Sequence, residues 1–233
     1  MTDWTSPVKP ADLTESRIIE AILDHTFPIN SLLPPERELA EMLGVTRPTL
    51  REALQRLSRD GWIEIHHGKS TRVRDYMCEG NLLILGTLTR YQKNLPADFV
   101  PNLLHIRLLL APEYTRLATQ HSPSEVIRLL ESMQGTPDTA EDFTRVDLEL
   151  HYRLTILSKN PIFTLILNGF GDLYHSMGLI YFSSNQSRDH SRSFYKKLLS
   201  AVLSNDAFMA EQVTRQVMRD SIDLWHQASS SQA

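Results

Sequence analysis

The chain has little cysteine, little glycine and no long apolar run. Cys78 is the one cysteine among 233 residues, so no internal disulfide is available and no thiol cluster exists to hold zinc. No stretch of about 18 consecutive apolar residues occurs. Residues 1–12 lack the basic start and apolar stretch of a signal peptide. With no nucleophile motif and no phosphate-cradling glycine loop, the sequence offers no basis for an enzyme. Charged residues make up 22%, an ordinary share that excludes wholesale disorder. These absences point to a soluble, cytoplasmic protein, neither membrane-bound nor catalytic, with ample length for a buried core.

The formal charge of −4 argues at first against a nucleic-acid partner, but it is unevenly placed. Between Thr46 and Arg74 there are seven cations (Arg47, Arg51, Arg56, Arg59, Lys69, Arg72, Arg74) against three anions (Glu52, Asp60, Glu64), a local excess of four. The remainder of the chain is correspondingly acidic. Such partition concentrates positive potential on one small segment.

Periodicity in that region predicts three helices and a hairpin. Ile18, Ile19, Ile22 and Leu23 give an apolar face over 12–26, with Asp12 and Glu15 spaced as a capping box. A second helix starts near Pro35, a tight turn follows at Gly44-Val45-Thr46, and a third runs from Arg47 to about Arg59 with Leu50, Ala53, Leu54 and Leu57 inward. Residues 63–66 and 71–74 alternate as two strands around His67-Gly68-Lys69-Ser70. Two helices on a glycine-containing turn, followed by a hairpin, describe a winged helix-turn-helix over residues 1–76. The N-terminus of the third helix presents free backbone N–H groups beside Thr46, Arg47 and Thr49, with Arg51 one turn on. That is how a recognition helix meets phosphates and guanine edges. Lys69, Arg72 and Arg74 are expected near the wing tip, with His67-Gly68 able to approach a minor groove.

Residues 77–233 read as an all-α bundle of seven helices, over about 80–93, 100–120, 123–133, 139–158, 162–182, 188–204 and 206–227. The chain is therefore expected to be mainly α. A helical bundle is a plausible ligand container. Arg107 lies on a stripe with Leu103, Ile106 and Leu110, and Asp147 on one with Phe143, Leu150 and Leu154. Both charges thus face a core, where each needs a partner, and their pairing is expected. Asp147 and His151, at i and i+4, also have the spacing of two metal ligands on one helix face.

The stretch LPPERELAEMLGVTRPTLREALQRL over 33–57, followed by Asp60-Gly61-Trp62 and the hairpin, resembles the GntR family of bacterial transcription regulators. Residues 67–71 and 102–107, Leu165–Gly169 through Leu173-Tyr174, Tyr181-Phe182 and Trp225-His226 resemble the fatty-acid-responsive branch of that family. The resemblance implies a homodimer that binds double-stranded palindromic operator DNA through Arg37, Thr46, Arg47, Thr49, Arg51, His67 and Gly68. Pro48 replaces a threonine, which removes one phosphate contact, and Arg37 also has Glu41 as a partner at i+4. It further implies an effector, a long-chain fatty acyl-CoA, near Arg107, Asp147, Tyr181, Ser221 and Trp225, with no cofactor and no metal. In that reading the ligand-free dimer represses fatty-acid degradation genes and activates unsaturated fatty-acid synthesis, and acyl-CoA releases it. The helix expected over 80–93 is then the transmitter. A second reading, a repressor responding to a small organic acid with or without a bound metal, rests on Asp147, His151 and Pro112. Against it, Tyr195 and Val217 occupy the positions where relatives carry two further histidines, which His175, His190 and His226 do not replace.

Overall fold

The computed structural model describes residues 9–66, 68–88, 91 and 98–230. Packing divides the chain into two units, Met1–Leu95 and Pro96–Ala233. No helix among the described residues is long and apolar enough to cross a membrane.

In the first unit α1 spans Pro10–Leu23, α2 Glu36–Leu43 and α3 Arg47–Asp60. Ile18, Ile22, Leu39, Leu50 and Leu57 are essentially inaccessible and form the core between them. The expected capping box of α1 does not form. The helix begins at Pro10 with Lys9 at the cap position and no side-chain bond, which places Asp12 and Glu15 inside it, where they reach Arg56 of α3 at 2.6 and 3.7 Å. An arginine fork offers those carboxylates a stronger partner than a lone backbone N–H. Gly44 closes α2 at φ 67° and Gly61 closes α3 at φ 98°, both left-handed conformations that cost a side chain strain.

The hairpin is shorter than the alternation predicted. Strand β1 is Ile63–Glu64 and β2 is Arg72–Val73, antiparallel with Ile63 opposite Val73 and Glu64 opposite Arg72. A bridge from Leu32 to Arg72 adds a third partner. Of the helix expected over 80–93, Leu83–Leu88 forms α5, preceded by a short α4, Tyr76–Glu79; residues 89, 90, 92 and 93 of that expectation lie outside the described residues. The chain leaving the wing is fastened to this unit at several points. Tyr76 packs on the buried Trp62 with ring centroids 4.8 Å apart, Arg72 pairs with Glu79 at 2.7 Å, and Asn81 Nδ2 donates to the Arg59 carbonyl at the end of α3. These contacts carry the first compact unit past the hairpin.

In the second unit α6 is Phe99–His121, α7 Pro123–Ser132, α8 Ala140–Leu157, α9 Pro161–Asn168, α10 Gly171–Tyr181, α11 Asn185–Leu203 and α12 Ala207–Ser230. The run expected as one helix over 162–182 breaks at Gly169-Phe170 into α9 and α10. Helix α12 lies along α6, with α11 against α12 and α7, and α8 packs on both α6 and α10. Phe143, Leu130, Leu150, Leu154, Phe182 and Leu198 fill the centre.

Helices α8 and α10 approach closely at Gly178, where a Cβ would stand 2.6 Å from the Thr144 methyl. Gly178→Ala is therefore expected to destabilise the protein by about 1–3 kcal/mol through overpacking. Thr144→Ser, which removes that methyl, should restore most of the loss, as read from urea unfolding midpoints of the single and double variants.

Candidate functional site

Two constellations carry the polar residues singled out in the sequence, one in each unit. The first is the exposed face formed by α2 and the start of α3. Thr46 caps α3, its Oγ1 accepting from the Thr49 N–H at 3.3 Å and lying 2.8 Å from the Thr49 hydroxyl. The cap leaves Arg47 and Pro48 exposed at the positive end of the helix dipole. Arg51 is one turn further on the same face, and its Nε donates to Glu36 Oε2 at 2.8 Å. Arg37 Nε donates to Glu41 Oε1 at 3.1 Å, the i, i+4 pairing that the spacing allowed. In the wing turn Gly68 is exposed with φ 72°; His67 lies outside the described residues.

The local excess of cations is not all available to a ligand. Arg56 is held by Asp12 and Glu52, and Arg59 by Asp60. Arg72, expected near the wing tip, lies instead in β2 with Glu64, Glu79 and Asn30 around its guanidinium. Those carboxylates push its pKa up further, Glu79 most strongly. Arg47 and Lys69 have no ion-pair partner among the described residues.

The second constellation is a cavity in the helical unit. It encloses about 890 Å³ of unfilled space, counting its open mouth, and is lined from α6, α8, α9, α10 and α12. Leu103, Leu104, Leu167, Phe170, Met177 and Phe182 supply an apolar wall. Arg107, Tyr114, Asp147, Tyr174 and Tyr181 form a polar patch, and Ser221 and Trp225 complete the lining. All five ligand-site residues expected from the resemblance therefore border one space.

Asp147 is the centre of the polar patch. Its Oδ2 accepts from Arg107 Nη2 at 2.9 Å and from the Tyr174 hydroxyl at 2.5 Å, and its Oδ1 accepts from the Tyr195 hydroxyl at 2.8 Å. Burial alone would push this carboxyl up; Arg107, together with these hydroxyls, holds it below the usual carboxylate range. The Arg107 guanidinium also lies 5.0 Å from the centre of the Tyr174 ring. Burial opposes its charge, but the surrounding oxygens keep it firmly protonated. Its Nε is buried with no hydrogen-bond partner among the described residues.

The same contacts bear on metal binding. His151 is wholly buried, its Nδ1 lies 2.7 Å from the Tyr114 hydroxyl, and its Nε2 is 3.9 Å from Asp147 Oδ2. Burial, with Arg107 nearby, pushes the imidazole pKa down to about 3, so the ring is neutral at physiological pH. Among the described residues no group of three or more His, Cys, Asp or Glu side chains could hold a metal. Both Asp147 oxygens already accept bonds from protein donors, and Tyr195 uses its hydroxyl to do so.

Sequence reasoning missed three tyrosines of the patch as functional groups. Tyr114 follows Arg107 by seven residues and Tyr174 precedes Tyr181 by seven, two helical turns each, so each pair shares a face. That spacing was the available signal. The resemblance marks Tyr195 only as the occupant of a position where relatives carry a metal ligand. Ser221 borders the cavity, but its hydroxyl donates to the Met218 carbonyl at 2.8 Å, which leaves it an acceptor towards any ligand.

Comparison with known proteins bears on both constellations. The family model of bacterial regulatory proteins of the gntR family matches residues 10–73, and that of the FadR C-terminal domain matches residues 74–232. A fatty acid metabolism regulator protein of Proteus mirabilis (strain HI4320) is 38% identical over 221 residues, covering 95% of this chain and 92% of the relative. Another, of Erwinia tasmaniensis, is 40% identical over 217 residues, covering 93% and 91%. Among solved structures, one titled "Lar controls the expression of the Listeria monocytogenes agr system and mediates virulence" has a TM-score of 0.63 at 15% identity, covering 93% of this chain and 96% of that one. At that identity the likeness is one of fold.

His151 predicts an acid sensitivity. An unfolded histidine takes up a proton below about pH 6.5, whereas the buried ring resists it down to about 3. Acid therefore favours the unfolded chain across that window, and stability falls as pH falls. Between pH 7.5 and 4.5 the His151 contribution to that fall should be about 2–3 kcal/mol. In His151→Gln, which preserves an acceptor for Tyr114, urea unfolding at the two pH values should show a correspondingly smaller difference.

Proposed function

This chain belongs to the GntR family of bacterial regulators and carries a FadR C-terminal domain, and from that premise we propose that it regulates transcription of fatty-acid metabolism genes in response to long-chain fatty acyl-CoA. Proteins of this family are regulators rather than enzymes. The curated relatives named as fatty acid metabolism regulators support the metabolic assignment.

In this reading residues 1–76 form the operator-binding domain and 77–233 the effector domain. The protein works in the cytoplasm as a homodimer on a palindromic operator, two recognition helices reading two half-sites. Arg37, Thr46, Arg47, Thr49, Arg51, His67 and Gly68 make the contacts. Arginines read guanine in the major groove, while the Thr46 and Thr49 hydroxyls and the N-terminus of α3 hold phosphates. Bound without ligand, the dimer represses degradation genes and activates those of unsaturated fatty-acid synthesis.

The observation that carries the effector assignment is the cavity's division into a long apolar wall and a compact polar patch at Arg107 and Asp147. An acyl chain fills the wall, and the thioester end meets Arg107, Tyr181, Ser221 and Trp225. A small organic acid would leave most of that apolar surface without contact, and burial of apolar area is where the affinity lies. Ligand acts by binding one arrangement of the protein better than the DNA-competent one.

Oleoyl-CoA titrated against a protein–operator complex in a mobility-shift assay should release the DNA. An unchanged shift at saturating ligand removes the acyl-CoA assignment while leaving DNA binding intact. For the DNA face, Arg51→Ala should lose preference for operator over scrambled duplex by roughly tenfold or more, while non-specific binding keeps most of its salt dependence. Specific binding that survives intact would show that α3 is not the reading helix.

A further inference from the structure

Arg51 differs from most exposed paired arginines in where its partner comes from. Arg128 pairs with Glu125 and Arg145 with Asp142, each within one turn of its own helix. Arg51 pairs across the turn, from α3 to Glu36 in the first turn of α2, fifteen residues away. The bond uses Nε alone, at 2.8 Å. Its Nη1 and Nη2 have no hydrogen-bond partner among the described residues, and the side chain stays 66% exposed. The guanidinium is thus held by its inner edge with its terminal nitrogens still free.

That geometry matters for reading a base. A guanine accepts two bonds from one arginine at O6 and N7 only when the planar fork meets it in the right orientation. A long side chain on a helix surface otherwise samples many rotamers, and ordering them on binding costs free energy. A carboxylate fixed on a neighbouring helix removes that freedom beforehand. Glu36 is itself well placed, since the first turn of a helix favours an anion. An unpaired carboxylate beside a DNA face would repel phosphates; paired with Nε, its charge is largely offset.

We propose that Glu36 is a positioning residue for operator recognition, orienting the Arg51 fork for a base edge without itself contacting DNA. The proposal rests on the assignment of α3 as the reading helix. Glu36 contributes discrimination between sequences, not general affinity for DNA.

The test uses the full-length protein and fluorescence anisotropy with two duplexes of equal length, an operator obtained by selection from a random pool and its scrambled counterpart. In Glu36→Gln the operator-over-scrambled affinity ratio should fall by roughly tenfold. Affinity for the scrambled duplex should stay the same or tighten, and the salt slope for the operator should be unchanged, because no phosphate contact is lost. Simple electrostatics predicts otherwise: losing an anion would tighten both duplexes alike, and that result overturns the proposal. In an Arg51→Lys background, which has no fork to orient, Glu36→Gln should cause no further loss of discrimination; additive losses would show Glu36 acting independently and overturn it too. The thermal midpoint of Glu36→Gln should stay near wild type, since an exposed pair contributes little to stability. If Arg51→Ala itself keeps operator preference, the assignment of α3 fails. If Arg51→Ala loses that preference and Glu36→Gln does not, only the role given to Glu36 fails.

Discussion

The Asp147 carboxylate is the constraint around which the helical unit is arranged. It is almost wholly buried, and a buried anion is tolerable only when its lone pairs are met. Three elements meet them, α6 with Arg107, α10 with Tyr174 and α11 with Tyr195, while α8 carries the aspartate itself. Hydrophobic packing alone would hold these helices near one another with little preference for rotation. Directional bonds to one carboxylate select the rotation, and with it the faces that border the cavity. The close approach of α8 and α10 at Gly178 belongs to the same arrangement, because any side chain there would push the Tyr174 helix away from Asp147.

The network also separates two functions that the same residue spacing could serve. Aspartate and histidine at i and i+4 can share a metal, and Asp147 and His151 do lie close together. What differs is the supply of competing donors. Tyrosine at 195 turns a position suited to a ligand into a hydrogen-bond donor towards Asp147, and Arg107 and Tyr174 take the other oxygen. His151 is kept neutral by burial and is engaged by Tyr114. A patch built this way presents organised hydroxyls and one arginine to the cavity, chemistry suited to a carbonyl or thioester at the end of an apolar ligand.

Much of this was legible in the residues. Apolar periodicity located α1 to α3 and most of the helical unit, because those helices each bury one stripe against one core. The pairing of Arg107 with Asp147 followed from two charges on inward-facing stripes. The failures have physical causes. Asp12 and Glu15 have capping-box spacing, yet Pro10 starts the helix two residues earlier, so both lie inside it and meet an arginine 44 residues from Asp12, a distant partner that leaves no local mark. Residues 162–182 look continuous because both α9 and α10 are apolar, which masks the turn signal of Asn168-Gly169 followed by Gly171. Arg72 was misplaced since its strand position, not its charge, decides whether it faces solvent or the acidic side chains of Glu64 and Glu79.

Counting charges along the segment also proved a coarser guide than asking what each cation does. Arg56, Arg59 and Arg72 contribute to the sum, but their partners hold the unit together rather than meet a ligand. Arg56 joins α3 to α1, and Arg72 joins the wing to α4. These ties give α3 a fixed base: its first turn is capped by Thr46, its middle is clamped to α1 through Arg56, and its last carbonyls are met in part by Asn81. A reading helix needs such rigidity more than it needs raw charge, because each added free cation raises affinity for every DNA sequence alike. Discrimination requires a few donors held at defined angles. With Arg56, Arg59 and Arg72 paired to Glu52, Asp60 and Glu64, the local excess of four positive charges falls on Arg47, Arg51, Lys69 and Arg74, a few side chains and not a broad basic surface, as expected of a protein selected for one DNA sequence against many.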